Sequence, residues 1–246
     1  MPAGVLRYPH TVVVDAGHGG EDPGNPGLHF PGALREKDVN LAISKILRTE
    51  LQRRGIDVVM TRTRDSLVAL QDRGKFCGAD CDLFVSIHVN SLPNRAGFES
   101  VGGFETYFLA ESRSAESRRV ANMENEAMRY DTKVDARGGN DMDYILKDLQ
   151  RNEYLRESAI LADLIQNKAG RVHPGGSHGV SQAQFVVLTT ARRPAVLVET
   201  GFSTNRTDGR FLTSADGQKK LASAIADAIV DYFQKYEGKT AMELEP

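Results

Sequence analysis

The sequence predicts an α/β fold. The expected architecture is a single domain with a mostly parallel, twisted six-stranded sheet, helices on both faces, and one inserted helical segment at about 112–141. Two observations predict it. Short β-branched or wholly apolar runs alternate with segments whose apolar residues recur at helical spacing, and such alternation implies right-handed crossovers and parallel pairing. The chain also has 246 residues, 40% of them hydrophobic, which is ample for one large core.

The first run, Thr11 to Val14, reads as a buried strand that breaks into Asp15-Ala16-Gly17-His18-Gly19-Gly20. Residues 21 to 37 hold three prolines and three glycines beyond it and read as a loop, with Glu36 just before the first helix. From Asp38, the residues Val39, Ile43, Ile46 and Leu47 mark that helix, and Gly55 closes it. Ile56 to Thr61 is the second strand, followed by the motif TRTRD and a short helix over roughly Leu67 to Phe76. The third strand, Leu83 to His88, runs into Val89-Asn90-Ser91, and Phe104 to Leu109 is the fourth. Ser112 to Tyr130 is a charged helical segment with a thin apolar stripe, and Thr132 to Asp141 is a loop. A long helix over Asp143 to Lys168 precedes HPGGSHG, a turn whose histidines are expected to be solvated. Gln184 to Leu188 and Ala195 to Glu199 are the last two strands. A helix from about Gly217 to Tyr236 closes the domain, with Leu221, Ile225, Ala228, Tyr232 and Phe233 facing inward and Gly238 beyond its end.

Composition narrows the function. Lys+Arg 31 against Asp+Glu 33 leaves no polybasic face for nucleic acid. No run of about 18 apolar residues is present to span a membrane. The first ten residues lack the apolar core of a signal peptide, so the expectation is a cytosolic protein or a mature domain whose leader has been removed. Cys77 and Cys81 in CGADC can pair, bind metal or pack. With no further ligand at zinc spacing nearby, a packed pair at a helix end is the expected state.

In a parallel sheet the strand ends share one edge, where α/β proteins build their sites. His18, His88 and Glu199 each end a strand, and the loop before the first helix can bring Glu36 to them. Taken singly, each has an ordinary structural explanation, such as a core histidine or a carboxylate at a helix dipole. Taken together, two imidazoles and a carboxylate with an open fourth position are the ligand set of catalytic zinc. A second carboxylate would then carry the proton from water to the leaving amine. Spacing alone leaves open which glutamate is which.

The motifs VVVDAGHGGEDPG, Glu36-Lys37-Asp38-Val39-Asn40, TRTRD, SIHVNS, HGVSQAQFVVL and PAVLVETGFSTN occur in one order from about Thr11 to Phe233. In this the chain resembles the zinc-dependent N-acetylmuramoyl-L-alanine amidases of the cell-separation type. The resemblance implies that His18, Glu36 and His88 hold one zinc ion and that Glu199 is the catalytic carboxylate. The implied substrate is the amide between the lactyl group of muramic acid and L-alanine in peptidoglycan, and the implied location is periplasmic or extracellular.

On the 112–130 helix, Glu116, Val120, Met123, Glu124, Ala127 and Met128 share one stripe. A carboxylate within an apolar stripe is costly to bury unless a cation meets it. The segment is similar to the regulatory insertion of these amidases, which implies that Glu124, or as second choice Glu116, reaches the zinc and holds the enzyme off until an activator protein displaces the helix. Two other readings remain: a zinc carboxypeptidase-like peptidase using Arg192 or Arg193 for a terminal carboxylate, and a non-catalytic wall-binding module.

Overall fold

Apolar side chains alternate along the central strands and so build two cores, one on each face of a sheet. The computed structural model describes residues 6–131 and 144–243. Their strands are β1 (Thr11–Ala16), β2 (Asp57–Met60), β3 (Leu83–Asn90), β4 (Phe104–Leu109), β5 (Ser177–Ala183) and β6 (Ala195–Phe202). They form one sheet in the order β2-β1-β3-β6-β4-β5. The helices are α1 (Glu36–Arg53), α2 (Leu70–Arg73), α3 (Ala115–Asn125), α4 (Tyr144–Val172), α5 (Val186–Thr189), α6 (Arg206–Leu212) and α7 (Ala215–Glu243). The result is a single α/β domain. Part of the expected inserted segment, residues 132–141, lies outside the described residues.

Val12, Val14, Val85, Ile87, Val196 and Val198 point to one face and pack with Ile43 and Leu47 of α1, Leu161 and Ile165 of α4, and Ile225 and Ile229 of α7. Val13, Phe84, Tyr107 and Leu197 point to the other, under Leu70 of α2, Val120 and Ala121 of α3, and Val187 and Leu188 of α5. Each fully buried large aliphatic side chain contributes about 1.5–3 kcal/mol. The first face, covered by three long helices, is therefore much the more firmly held.

β1, β2, β3 and β6 are parallel, whereas β4 runs antiparallel to β6 and β5 runs parallel to β4. The reversal has a local cause. The link from β3 to β4 contains only a 3-10 turn, Phe98–Ser100, and no crossover helix. The chain therefore re-enters from the edge where β3 ends, and β4 and β5 begin where β1, β3 and β6 finish.

Several expectations need correction. The fifth strand is Ser177–Ala183 and not 184–188; the apolar run Val186–Thr189 is a helical turn with Val187 and Leu188 buried. The true strand pairs on one side only and is largely polar, so it carries little apolar signal. Cys77 and Cys81 are joined in a disulfide. His173 is buried, while His178 of the same turn is exposed. α1 begins at Glu36 itself, where the Asp38 carboxylate accepts from Arg35 N at 2.9 Å. α7 continues through Gly238 to Glu243.

Candidate active site

The edge where β1, β3 and β6 end gathers five chemically able side chains. β1 runs into Gly17-His18, and His18 adopts φ 60°. His88 lies in β3, directly beside Glu199 of the neighbouring strand β6, so both point to the same face. Gly17 lets the His88 imidazole lie flat against the turn, because a Cβ there would collide with the ring. A Cβ at Gly24, also at positive φ, would strike both Glu36 and His18. Glu36 enters from the first turn of α1, and Glu124 comes down from α3.

His18 Nε2 lies 3.2 Å from Glu36 Oε1 and 3.1 Å from Glu124 Oε2. His88 Nδ1 lies 3.3 Å from Glu36 Oε1 and 2.7 Å from Glu124 Oε2. The four donor atoms lie within 4.8 Å of one another, and every one of these residues is buried. The sequence expectation placed His18, Glu36, His88 and Glu199 at one edge, and the structure does bring them there. Glu124 joins them. Glu116 does not: it is exposed and paired with Arg119 at 2.7 Å.

Neighbouring groups hold the donors in place. His18 Nδ1 donates to Asp22 Oδ2 at 2.7 Å, which leaves Nε2 facing the cluster. Glu36 Oε2 accepts from Asn25 N and Asn25 Nδ2, each at 2.9 Å. Its Oε1 accepts from Val89 N at 3.0 Å and Asn40 Nδ2 at 3.2 Å. Glu199 is different, because both its oxygens are buried without a hydrogen-bond partner, as is Glu124 Oε1.

Burial pushes the Glu199 carboxyl well above the usual carboxylate range, and the Glu124 charge adds to this. Burial resists protonation of His18, but Glu36, Asp22 and Glu124 outweigh it and hold the imidazole well above its ordinary value. The same balance, with Glu124 first among the opposing groups, raises His88 to about 10. Two imidazoles and two carboxylates therefore share their charge in a closed space. A divalent cation is the natural alternative to the shared protons, and the donor set of nitrogen and carboxylate oxygen fits zinc. Among the described residues this group can hold a metal ion.

Access is closed. The space beside His18 and His88 is lined by Glu124 and Ala127 from α3 and the 3-10 turn after it, and by Leu67, Val68 and Leu70. Arg192 and Arg193 lie before β6, at the opposite edge of the sheet. Arg193 donates to the carbonyls of Cys81 and Ala79 at 2.6 and 2.8 Å, so the arginine that a carboxypeptidase site needs is not supplied here.

Sequence reasoning missed Asp22, Asn25 and Asn40, and gave TRTRD no role. A signal for Asp22 was present, since a carboxylate four residues beyond a candidate metal-ligating histidine in the same glycine loop is well placed to orient its ring. Asn40 also had a local signal, lying four residues after Glu36 on the same helix, whereas Asn25 and Arg62 of TRTRD act through contacts across the fold that no local pattern encodes.

The sequence that builds this edge matches a known family. Residues 12–231 match the N-acetylmuramoyl-L-alanine amidase family, Amidase_3, and the chain belongs to that family of hydrolases. It is 35% identical over 237 residues to the N-acetylmuramoyl-L-alanine amidase AmiA of Escherichia coli K12, a match covering 94% of this chain and 78% of that protein. Among solved structures, AmiC2 of Nostoc punctiforme is similar at a TM-score of 0.65 and 31% identity, covering 92% of this chain and 97% of that one. The CwlD amidase of Clostridioides difficile, solved in complex with the GerS lipoprotein, is similar at a TM-score of 0.66 and 25% identity, covering 92% and 98%.

Proposed function

We propose that this chain is a zinc-dependent peptidoglycan amidase, active in cell-wall remodelling and daughter-cell separation, which its own α3 holds inactive. It cleaves the amide between the lactyl group of N-acetylmuramic acid and L-alanine. The observation that carries this reading is the convergence of Glu124 with His18, Glu36 and His88 in a family of amidases.

His18, Glu36 and His88 would hold the zinc. Bound zinc supplies Lewis acidity, polarising the scissile carbonyl and acidifying a water. Glu36, with both oxygens already fixed by four donors, suits a permanent ligand. Glu199 has no competing hydrogen bond and a raised carboxyl affinity for protons. It therefore suits the general base that takes the water proton and returns it to the leaving L-alanine amine. Asp22 keeps the His18 ring turned toward the metal.

Glu124 takes up the position that substrate needs, and α3 covers the approach, so the segment at about 112–141 is a regulatory insertion within one catalytic domain. Release requires a partner that binds α3 preferentially in its displaced state. The CwlD amidase bound to a lipoprotein supports the reading that a separate protein is involved. The buried Cys77–Cys81 disulfide suits an oxidising periplasmic or extracellular compartment, where the substrate also lies. Among the described residues no helix is long and apolar enough to cross a membrane.

The test is digestion of purified peptidoglycan by wild type and Glu124→Ala, each with and without a chelator. A closed state favoured 99:1 leaves about 1% of molecules active, so Glu124→Ala is expected to be faster by up to about 100-fold. The peptides freed should carry an L-alanine amino terminus. Chelator should abolish the gain and added zinc restore it. Wild type that is fully active alone, and no slower than the variant, removes autoinhibition. Activity indifferent to chelator removes the metal.

A further inference from the structure

His18 is the one non-glycine residue with positive φ among the described residues, and Gly19 and Gly20 after it are also at positive φ. An L-residue rarely adopts this conformation unless its surroundings impose it. Here two buried guanidiniums surround the turn. Arg62 Nε donates to the carbonyl of Ala16 at 2.8 Å, and its Nη2 donates to that of Gly17 at 2.9 Å. Arg73 Nη1 donates to the same Ala16 oxygen at 2.9 Å, and its Nη2 donates to the carbonyl of His18 at 2.9 Å. Three successive carbonyls are thus taken by two side chains that are each only 3% exposed. Arg62 Nη2 also donates to the carbonyl of Lys37 at 2.8 Å, one residue past Glu36. One guanidinium therefore ties the peptide before His18 to the Lys37–Asp38 peptide.

The electrostatics argue against a purely structural role. Asp15 pairs with Arg73 at 3.0 Å and also accepts from Thr61 and Ser86, whereas the hydrogen bonds of Arg62 among the described residues all go to backbone carbonyls. Burial, with the Arg73 charge beside it, pulls Arg62 down to about 10. Asp65 and Asp38 attract Arg62 only from further off. Two like charges buried side by side, with Asp15 the one carboxylate bonded to either among the described residues, are an expensive way to stabilise a fold that apolar side chains would fill as well. It is a direct way to fix three carbonyls.

We infer that Arg62 and Arg73 are positioning residues of the metal site: they hold the His18 turn in its strained form and set its separation from Glu36. The inference rests on the zinc reading of the cluster. Its test measures zinc affinity by competition with a chromophoric chelator, together with the absorption spectrum of the cobalt-substituted protein. The variants are Arg62→Lys and Arg73→Lys, which keep the charge but lose the fork of donors. Thr61→Val is the control, because it removes one bond to Asp15 and touches none of the three carbonyls. Both lysine variants should bind zinc roughly 10- to 100-fold more weakly and shift the cobalt spectrum, while Thr61→Val keeps both properties whatever it costs in thermal stability. Arg62→Gln, which keeps an amide donor without a buried charge, is the second variant and should fall between wild type and Arg62→Lys. A variant that folds only with zinc still reports its affinity through the zinc concentration at half folding. Wild-type affinity and spectrum in the lysine variants, or losses no larger than in Thr61→Val at equal stability, would overturn the inference alone. A wild type that binds no zinc would remove the zinc reading and this inference together.

Discussion

Glu199 sits in β6 with no exposure and no hydrogen-bond partner for either oxygen. Such a carboxylate is costly unless its site uses it, because desolvation favours the neutral form. Glu36, equally buried, is satisfied on both oxygens. The contrast separates two roles that composition alone cannot. Glu199→Gln keeps the shape of the side chain but cannot take a proton. In a Glu124→Ala background it should retain zinc, while peptide release from peptidoglycan falls by roughly two to four decades. Metal analysis and turnover on the same sample check this, and loss of the metal would mean that Glu199 and Glu36 have exchanged roles.

At the scale of the element, α3 is built to form a helix yet to be weakly held. Ser114 caps it, accepting from Ser117 N at 2.9 Å, and Val120 and Ala121 are its buried apolar residues. Together they contribute a few kcal/mol, on the order of one large core side chain and one small one. The other fasteners are polar. Arg119 donates to Asn90 Oδ1 at 3.0 Å and to the Ser91 carbonyl at 2.9 Å. Asn125 donates to the Gln184 carbonyl and accepts from Val186 N, each at 2.9 Å. Asp131, beyond the helix, accepts from Leu70 N at 2.9 Å. Each such bond is worth about 0.5–1.5 kcal/mol net, so a partner interface of ordinary size can replace them. Asn125→Ala should therefore raise partner-free activity by roughly 2- to 10-fold, and by less than Glu124→Ala does. Peptidoglycan release by the two variants side by side checks the order, and equal activity of Asn125→Ala and wild type would discount this fastener.

For the whole molecule, the amino-terminal segment is joined to α7 through His10. Its ring stacks on Phe233 with centroids 3.8 Å apart, Nε2 contacts Glu237 at 3.0 Å, and Nδ1 lies 3.4 Å from Asp82. Glu237 also accepts from Arg7 N and Tyr8 N. Burial lowers the affinity of His10 for its proton, but Asp82 and Glu237 more than offset this and raise it overall. A raised folded-state value means that the stabilisation is complete below the unfolded value of about 6.5 and fades as pH rises through the folded one. The stability difference between wild type and His10→Gln should be larger at pH 6 than at pH 9. Urea unfolding at both pH values measures it, and a difference independent of pH would show that His10 acts only by packing.

The sequence by itself determined the alternation of strands and helices, because apolar spacing records which face of each element is buried. It placed His18, His88 and Glu199 near the carboxyl ends of strands, hence at one edge of a parallel sheet, although β3 and β6 run on past His88 and Glu199 to Asn90 and Phe202, and it put Glu124 within an apolar stripe. Spacing does not record what a buried face meets. Only the tertiary structure decided that β4 and β5 run back from the site edge, since that follows from a link without a crossover helix. It also decided that the polar edge strand is 177–183 and that Cys77 and Cys81 pair. The burial of His173, the fastening of α3 and the grip of Arg62 and Arg73 on the His18 turn are likewise tertiary. They join residues distant in the chain, and their energies come from desolvated charge and hydrogen bonding that exist only once the two cores have closed around them.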